Sequence, residues 1–296
     1  MAVIRRWMVL IAAGVAVGLL ALLPGAVAWG AIGPPTAGQD RWLARTMLVR
    51  SGDAGPAPAT TVTSGCEASL GRAAERAGVP RMAIVGASFT AGVGPGRPHL
   101  AWPVLLAHEL RWDAAINGVP SAGYIRPGLE HKGPMSAELR RVDLASFKPG
   151  LVIVQAGHDD MGLPTALEQL RVRQTVQLIR AQAPQARIAL LTVFPGKRHP
   201  GQAAQTDRAI VTAARSVDPG VIIMDPLTGR WTFQRARDGL HPTVAGDAWI
   251  AAKVASLLRA HGVTAGPAGG GQVCDFAVTA PAHPPQPSPP HPPGRR

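Results

Sequence analysis

The sequence predicts an α/β protein, a three-layer α/β/α sandwich with a parallel sheet. Short apolar runs predict strands at Met82 to Gly86, Ala114 to Asn117, Leu151 to Gln155, Ile188 to Phe194 and Val221 to Met224. A segment with the periodicity of an amphipathic helix follows each run. Apolar strands of this length that alternate with helices are typical of a parallel sheet covered on both faces.

The helices between these strands are predicted from their apolar periodicity and from proline near several of their starts. They span Ala101 to Leu110, Ser136 to Ser146, Thr165 to Gln182, Gln202 to Ser216 and Thr243 to His261. In sheets of this kind, ligands bind at the carboxyl ends of the strands. The loops that follow the predicted strands are therefore where chemistry is expected.

The amino-terminal segment predicts export. No charged residue occurs from Trp7 to Trp29, and Arg5 and Arg6 precede this stretch. About 23 residues at roughly 1.5 Å each are enough to cross the apolar core of a bilayer. The small residues Ala26-Val27-Ala28 also fit a cleavage site. Residues 1–29 are thus predicted to be a signal peptide or a transmembrane anchor, which puts the rest of the chain outside the cytoplasm, tethered or secreted.

The remaining chain divides by composition. Residues 30–65 form a Gly/Pro-rich spacer, residues 66–275 the predicted folded domain, and residues 276–296 a Pro-rich tail that is predicted to be disordered. The two cysteines, Cys66 and Cys274, stand near the two ends of that domain. In an oxidising compartment they are predicted to form a disulfide, and two unrelated buried thiols are the alternative.

The charge favours anionic surroundings. Thirty Lys and Arg against 18 Asp and Glu give a net charge of +12, which suits phospholipid head groups, acidic glycans or nucleic acid. Binding of nucleic acid is not predicted, because the chain has no lysine-rich run and one tyrosine. Neither a metal nor an organic cofactor is predicted, and the sequence leaves the oligomeric state open.

Two loops carry residues suited to nucleophilic catalysis. Ser88 follows the first strand between Gly86 and Gly92, where a tight turn would expose a nucleophile. Asp238 and His241 come just before the last helix, and an imidazole oriented by a carboxylate can accept a serine proton. Each loop also has an ordinary explanation, a capping serine in one case and a turn rich in Asp and Pro in the other.

Two more loops follow the second and third strands. Residues 117–123 are glycine-containing, and a glycine N–H there could stabilise an oxyanion. Residues 155–160 follow the most apolar strand and carry polar side chains that would face the same crevice as Ser88. Together, these four loops, each at the end of a predicted strand, indicate one shared site.

With these four loops, the sequence resembles the SGNH/GDSL hydrolase family over roughly Met82 to Leu258. The resemblance implies that Ser88 is the nucleophile and that its own N–H belongs to the oxyanion hole. Asp238 and His241 match the family's Asp-x-x-His element and would be the acid and base. Gly123 matches the second-block glycine better than Gly118 does.

Two positions depart from the family pattern. Ala87 stands where the family has an aspartate beside the nucleophile. The third block reads Gly157-His158-Asp159-Asp160, so that Asp159 replaces the asparagine that donates to the oxyanion. An ionised aspartate accepts hydrogen bonds and donates none. Three interpretations follow: Asp159 is protonated, the hole depends on the N–H groups of Ser88 and Gly123, or catalysis is slow.

The resemblance implies an exported serine esterase that acts through an acyl-enzyme on a small-molecule, glycan or lipid ester, with an envelope ester expected. The alternatives are a non-catalytic module that binds envelope polymer, an acyltransferase with the same triad, and metal-dependent hydrolysis by His158, Asp159 and Asp160. A cluster of three arginines just before the Asp-x-x-His element also suggests an ester beside negative charge, and these are Arg230, Arg235 and Arg237.

Overall fold

The computed structural model describes residues 78–196 and 199–275. The predicted leader, spacer and tail, together with Cys66, lie outside the described residues. Cys274 lies buried in the last strand, and its pairing with Cys66 stays a prediction. Within the described ranges, no helix combines the length and apolar character needed to span a bilayer.

Six strands form one parallel sheet, and the predicted fold class is confirmed. The strands are β1 (Arg81–Gly86), β2 (Asp113–Gly118), β3 (Leu151–Gln155), β4 (Arg187–Leu191), β5 (Ile222–Met224) and β6 (Val273–Asp275), in the order β5-β4-β3-β1-β2-β6. The sequence did not predict β6, because three residues after a glycine-rich stretch are too few to show a periodic pattern. β4 ends three residues before the predicted Phe194.

Six α-helices within the described ranges cover the sheet. They are α1 (Trp102–Leu110), α2 (Met135–Val142), α3 (Leu144–Phe147), α4 (Thr165–Gln182), α5 (Pro200–Val217) and α6 (Val244–Ala260). The single helix predicted from Ser136 to Ser146 is wrong, because Asp143 adopts the left-handed conformation (φ 45°, ψ 67°) between α2 and α3. Its carboxylate accepts the Ser146 N–H at 3.3 Å, so that it caps α3 while it ends α2.

Alternating strand residues divide the core into two apolar clusters, one on each face. In β3, Val152 and Val154 pack with α2 to α5, while Leu151 and Ile153 pack with α1 and α6. Buried side chains on both faces of a strand are the expected result of helices on both sides of a parallel sheet. The parallel register sets the ends of β1 and β3 side by side, with Gly86 opposite Gln155, and so brings their loops to one edge.

α1 and α6 are joined through a buried carboxyl group. Asp247 of α6 accepts the Trp102 N–H at the start of α1 at 2.9 Å, where Ala101 supplies no side-chain cap. The Asp247 residue is fully buried, and its other oxygen has no hydrogen-bond partner among the described residues. Burial raises the pKa of Asp247 to about 7, against the opposing effect of the Trp102 N–H.

We predict that Asp247→Asn stabilises the protein at alkaline pH. The folded-state pKa is raised, so the folded protein holds more protons than the unfolded chain between about pH 4 and 7, and wild-type stability falls over that window. Asparagine keeps an oxygen acceptor for the Trp102 N–H and carries no charge. Urea unfolding should show the difference in free energy, variant minus wild type, rising by on the order of 2 kcal/mol from pH 5 to pH 8.

Asp247→Ala, which loses the acceptor, should be less stable than Asp247→Asn at both values. An unchanged difference between Asp247→Asn and wild type across this range would contradict the assignment.

Candidate active site

Ser88 lies in the turn that follows β1, at the carboxyl edge of the sheet. The Val93 N–H donates to the Ser88 carbonyl at 3.0 Å, and the Ala91 N–H donates to the Ala87 carbonyl at 3.0 Å. These bonds wind residues 87–93 into a helical turn that leaves Ser88 partly exposed between buried neighbours. We name this segment the nucleophile turn.

Gln155, the last residue of β3, fixes the nucleophile turn from below. Its Oε1 accepts the N–H groups of Ala87 and Thr90, each at 3.2 Å, and the Thr90 hydroxyl at 2.9 Å. Gln155 is buried, so these donors have exchanged water for protein oxygens, and the Ala87 N–H also donates to the Gln155 carbonyl at 3.0 Å. Gly118 completes the support, because a Cβ there would lie 2.4 Å from the Ala91 nitrogen.

Ser88, His241 and Asp238 are joined by hydrogen bonds. His241 Nε2 lies 2.9 Å from Ser88 Oγ, and His241 Nδ1 lies 2.7 Å from Asp238 Oδ2. Because an ionised carboxylate can only accept, Nδ1 carries the hydrogen and the Nε2 lone pair faces the serine hydroxyl. The three residues that sequence reasoning selected are therefore together, in the arrangement of a nucleophile, a base and the group that orients the base.

The loop before α6 holds the acid and base through its backbone. Asp238 Oδ1 accepts the N–H groups of Leu240 at 2.9 Å and His241 at 3.0 Å, and the Ala236 N–H donates to the His241 carbonyl at 2.8 Å. α6 starts directly afterwards, where the Thr243 hydroxyl accepts the Gly246 N–H at 3.2 Å. Two residues between Asp238 and His241 are enough for one loop to deliver both side chains.

The carboxylate of this loop stays charged. Burial acts to raise the pKa of Asp238, but the Leu240 N–H, the His241 imidazole and the His241 N–H outweigh it and lower the pKa below its ordinary value. The Asp238 side chain is 48% exposed and that of His241 15%. The imidazole is thus shielded while its ionised partner reaches solvent.

Residues 84–249 match the GDSL-like lipase/acylhydrolase family. The chain belongs to this family. It is an enzyme of the SGNH/GDSL esterase type. A GDSL lipase of Mycobacterium tuberculosis is 28% identical over 191 residues, which are 60% of this chain and 80% of that protein.

Solved structures share the fold at lower identity. A family two carbohydrate esterase of Cellvibrio japonicus is 17% identical with a TM-score of 0.52, and the match covers 61% of each chain. A family two carbohydrate esterase of Clostridium thermocellum is 15% identical with a TM-score of 0.50, over 61% of this chain and 63% of that chain.

The structure corrects one expected oxyanion donor of this GDSL esterase. Gly123 was predicted to point its N–H at the oxyanion, but that N–H donates to the Arg126 carbonyl at 3.0 Å. This N–H belongs to a tight turn, so the oxyanion role is not assigned to Gly123. The Ser88 N–H, in contrast, has no acceptor within the described part of the chain.

Asp160 organises that tight turn. Its carboxylate accepts three successive N–H groups, from Tyr124 at 2.6 Å, Ile125 at 3.3 Å and Arg126 at 3.0 Å. A Cβ at Gly123 would overlap the carboxyl group, which explains the glycine by close approach rather than by catalysis. Asp160, in the polar loop that follows β3, therefore shapes the neighbouring loop that follows β2.

A second buried carboxyl group lies beside Asp160. Burial, followed by the charge and contact of Asp160, raises the pKa of Glu168 in α4 to about 9. Neither Glu168 oxygen makes a hydrogen bond of ordinary geometry to another described residue, although the two carboxyl groups are close enough to interact. We take Glu168 as neutral and Asp160 as the ionised partner, because three N–H donors favour charge on Asp160.

His158 and Asp159 flank the site without a hydrogen bond to Ser88 or His241. Burial lowers the pKa of His158, the Phe194 carbonyl opposes that shift and the charge of His241 adds to it. Burial, then the charge of Asp160, raises the pKa of Asp159 to about 6, while Arg126 opposes the shift. Over residues 78–196 and 199–275, His, Cys, Asp and Glu side chains form no group of three or more suited to a metal ion.

The supporting roles of Gln155 and Asp160 escaped prediction from sequence. Gln155 acts on backbone groups 65 and 68 residues away, and Asp160 on groups 34 to 36 residues away. No local sequence pattern around either residue identifies the backbone groups to which it hydrogen-bonds. The one available signal was their place, Gln155 at the end of the central strand and Asp160 in the loop that follows it.

We predict that Gln155→Ala lowers kcat at least tenfold with little change in KM. The substitution leaves buried N–H groups of the nucleophile turn without the side-chain acceptor, which should also cost about 2–3 kcal/mol of stability. Steady-state kinetics well below the melting temperature, together with urea unfolding, provide the measurement. Gln205→Ala, at an exposed position on α5, is the matched control and should alter neither quantity. Wild-type kcat in folded Gln155→Ala would refute the positioning role.

Proposed function

We propose that the chain is an exported serine hydrolase that cleaves an acyl ester through a covalent acyl-enzyme on Ser88. The continuous hydrogen-bond path from Asp238 through His241 to Ser88 Oγ carries this proposal, with distances of 2.7 and 2.9 Å. Family membership supports the reaction class. The uncharged segment from Trp7 to Trp29 supports export to a location outside the cytoplasm, tethered or secreted.

The reaction uses His241 twice. As Ser88 Oγ attacks the ester carbonyl, His241 Nε2 takes the hydroxyl proton and then gives it to the departing alkoxide. Water enters and loses a proton to the same nitrogen as its oxygen attacks the acyl carbon, and the acyl group leaves as a carboxylic acid while His241 returns that proton to Ser88 Oγ. Asp238 holds the imidazole and stabilises its charged form in both halves.

The negative charge on the carbonyl oxygen requires donors. The Ser88 N–H, with no other acceptor in the described ranges, is one. A protonated Asp159 would be a second, because a neutral carboxyl group can donate where the family's asparagine would. Loss of one such donor costs about 3–4 kcal/mol of transition-state stabilisation in comparable sites, so the protonation state of Asp159 is expected to set the rate.

An envelope lipid or glycan ester is the proposed substrate class. The GDSL lipase relative supports a lipid ester, and the exported location supports an envelope component. Of the three arginines expected beside the substrate, Arg235 packs over the Phe233 ring at 4.6 Å and donates to the Pro195 carbonyl at 2.9 Å. Arg230 and Arg237 remain exposed, so these two are the proposed contacts for negative charge.

We predict that Ser88→Ala abolishes labelling by a fluorophosphonate probe and hydrolysis of a simple ester, with the fold intact. His241→Ala should lose at least a thousandfold in kcat, and Asp238→Ala somewhat less, since the orienting carboxylate matters least in such triads. Mass mapping of the adduct and ester assays give the readouts. Ser216→Ala, on α5, should label like the wild type, and a labelled Ser88→Ala chain would reject the nucleophile.

We predict that Asp159→Asn removes a loss of activity that the wild type shows above about pH 6. Ionisation of Asp159 as the pH rises through its pKa of about 6 eliminates the donor, whereas asparagine keeps one at every pH. The ratio of kcat/KM, variant over wild type, should rise from near one at pH 5 to about a hundred at pH 8, where about 1% of Asp159 keeps its proton. A clear fall in activity at all pH values in a folded variant would reject this role for Asp159.

A further inference from the structure

The first half of α6 presents an apolar surface to solvent. Five residues at helical spacing point outward and are exposed, and none is polar: Val244, Ala245, Ala248, Trp249 and Ala252. Val244 is 43% and Trp249 37% exposed. A helix that packs on a core through one side normally carries polar residues on the other. An exposed apolar helix surface is therefore typical of an interaction site, and we name these five residues the α6 face.

The α6 face is continuous with the proposed active site. The Trp249 ring lies 6.3 Å from Phe233, and Phe233 lies 6.3 Å from Phe89 in an edge-to-face contact. Phe89 follows Ser88 in sequence, and its ring centroid lies 5.3 Å from that of His241. A wall of aromatic rings thus leads from the α6 face to the catalytic base, with α6 itself starting three residues after His241.

Cationic side chains border the α6 face. Residues 226–260 contain five Lys or Arg, of which Arg259 pairs with Glu109, and two Asp, of which Asp247 is buried and Asp238 contacts His241. Exposed Arg230 and Arg237 belong to the segment that runs along the first turn of α6, where the Thr243 N–H donates to the Gln234 carbonyl at 3.0 Å. Apolar residues with a tryptophan at the water boundary, next to arginines, match the two layers of an anionic membrane surface.

We propose that the α6 face docks the enzyme on a membrane of anionic phospholipids. The five apolar side chains would enter the head-group boundary while Arg230 and Arg237 bind phosphates. A symmetric dimer through this face would bring the arginines of two copies together, which like charge disfavours. A glycan, which presents many hydroxyl groups, would find one side-chain hydrogen-bond donor on the five residues, the Trp249 indole N–H. Delivery of an acyl ester from this surface to Ser88 rests on the proposed function, whereas docking itself does not.

A probe on the α6 face tests docking without catalysis. Ala248→Cys, in the full-length Ser88→Ala chain, is labelled with the environment-sensitive fluorophore nitrobenzoxadiazole, and the chain without the added cysteine supplies the blank. Residues 7–29 are present in every sample, so the fluorophore rather than bulk binding is the readout. Vesicles of equal phosphatidylglycerol and phosphatidylcholine should raise its emission at least twofold with a blue shift, and pure phosphatidylcholine should have a much smaller effect.

Two sets of variants separate the apolar and cationic parts. In the labelled chain, Val244→Asp with Ala245→Asp should abolish the response, and Arg230→Gln with Arg237→Gln should raise the lipid concentration for half response about tenfold. The control is the same fluorophore at Leu170→Cys, since Leu170 is 42% exposed on α4, across the sheet from α6, and should stay silent. Circular dichroism and melting curves establish that each variant folds.

Hydrolysis gives an independent readout in chains that keep Ser88. For each variant, the rate on a phosphatidylglycerol-vesicle ester is divided by its own rate on a water-soluble ester. Val244→Asp with Ala245→Asp should lower this ratio at least fivefold, and Leu170→Asp should preserve it.

A silent Ala248 probe on anionic vesicles overturns the docking proposal, even if the wild-type chain hydrolyses esters. A probe response that depends on protein concentration and not on lipid assigns the face to a second copy and overturns it too. A lipid-dependent response in a protein whose wild type hydrolyses no ester supports docking and refutes the proposed function.

Discussion

The placement of the nucleophile depends on one buried amide oxygen. Because β1 and β3 run parallel with Gly86 opposite Gln155, the Gln155 side chain reaches under the turn that follows β1 and accepts three hydrogen bonds from it. Without this oxygen the turn would bury the Thr90 N–H without a partner, which costs more than the bond itself contributes, whereas the Ala87 N–H would keep the Gln155 carbonyl at 3.0 Å. This support holds Ser88 in the position where its Oγ lies 2.9 Å from His241 Nε2.

Buried carboxyl groups hold two other segments in the same way, by accepting hydrogen bonds from backbone N–H groups. Asp160 gathers the N–H groups of residues 124–126, and Asp247 takes the first free N–H of α1, each from an element distant in sequence. Burying a carboxylate is costly unless donors surround it, and the two residues differ in that respect. Asp160 has three N–H donors. Asp247 has one, and burial raises its pKa to about 7. Loops and helix starts around the active-site edge are thus held by side chains that cross between elements.

Asp159 is one of the two departures from the family pattern, and its surroundings bear on its protonation state. The carboxylate of the neighbouring Asp160 accepts hydrogen bonds from a loop, and the carboxyl group of Glu168 beside it is neutral. Burial raises the pKa of Asp159 to about 6. A carboxyl group with a pKa near neutrality can switch between donor and acceptor within the physiological range, which asparagine cannot do. Under the proposed function, in which Asp159 faces the oxyanion, the substitution converts a fixed donor position into one that responds to pH.

Sequence alone determined the layers of the fold and the triad. Apolar runs identify buried strands because burial on both faces leaves no room for polar residues, and two intervening residues let one loop deliver Asp238 and His241. Only the tertiary structure decided which N–H meets which acceptor, and so that Gly123 serves a turn closed by Asp160. It also decided that the apolar residues of α6 face outward, since an exposed alanine or tryptophan reads in sequence like a buried one. Local patterns encode conformation and average burial, whereas pairing across 30 to 150 residues is set by packing.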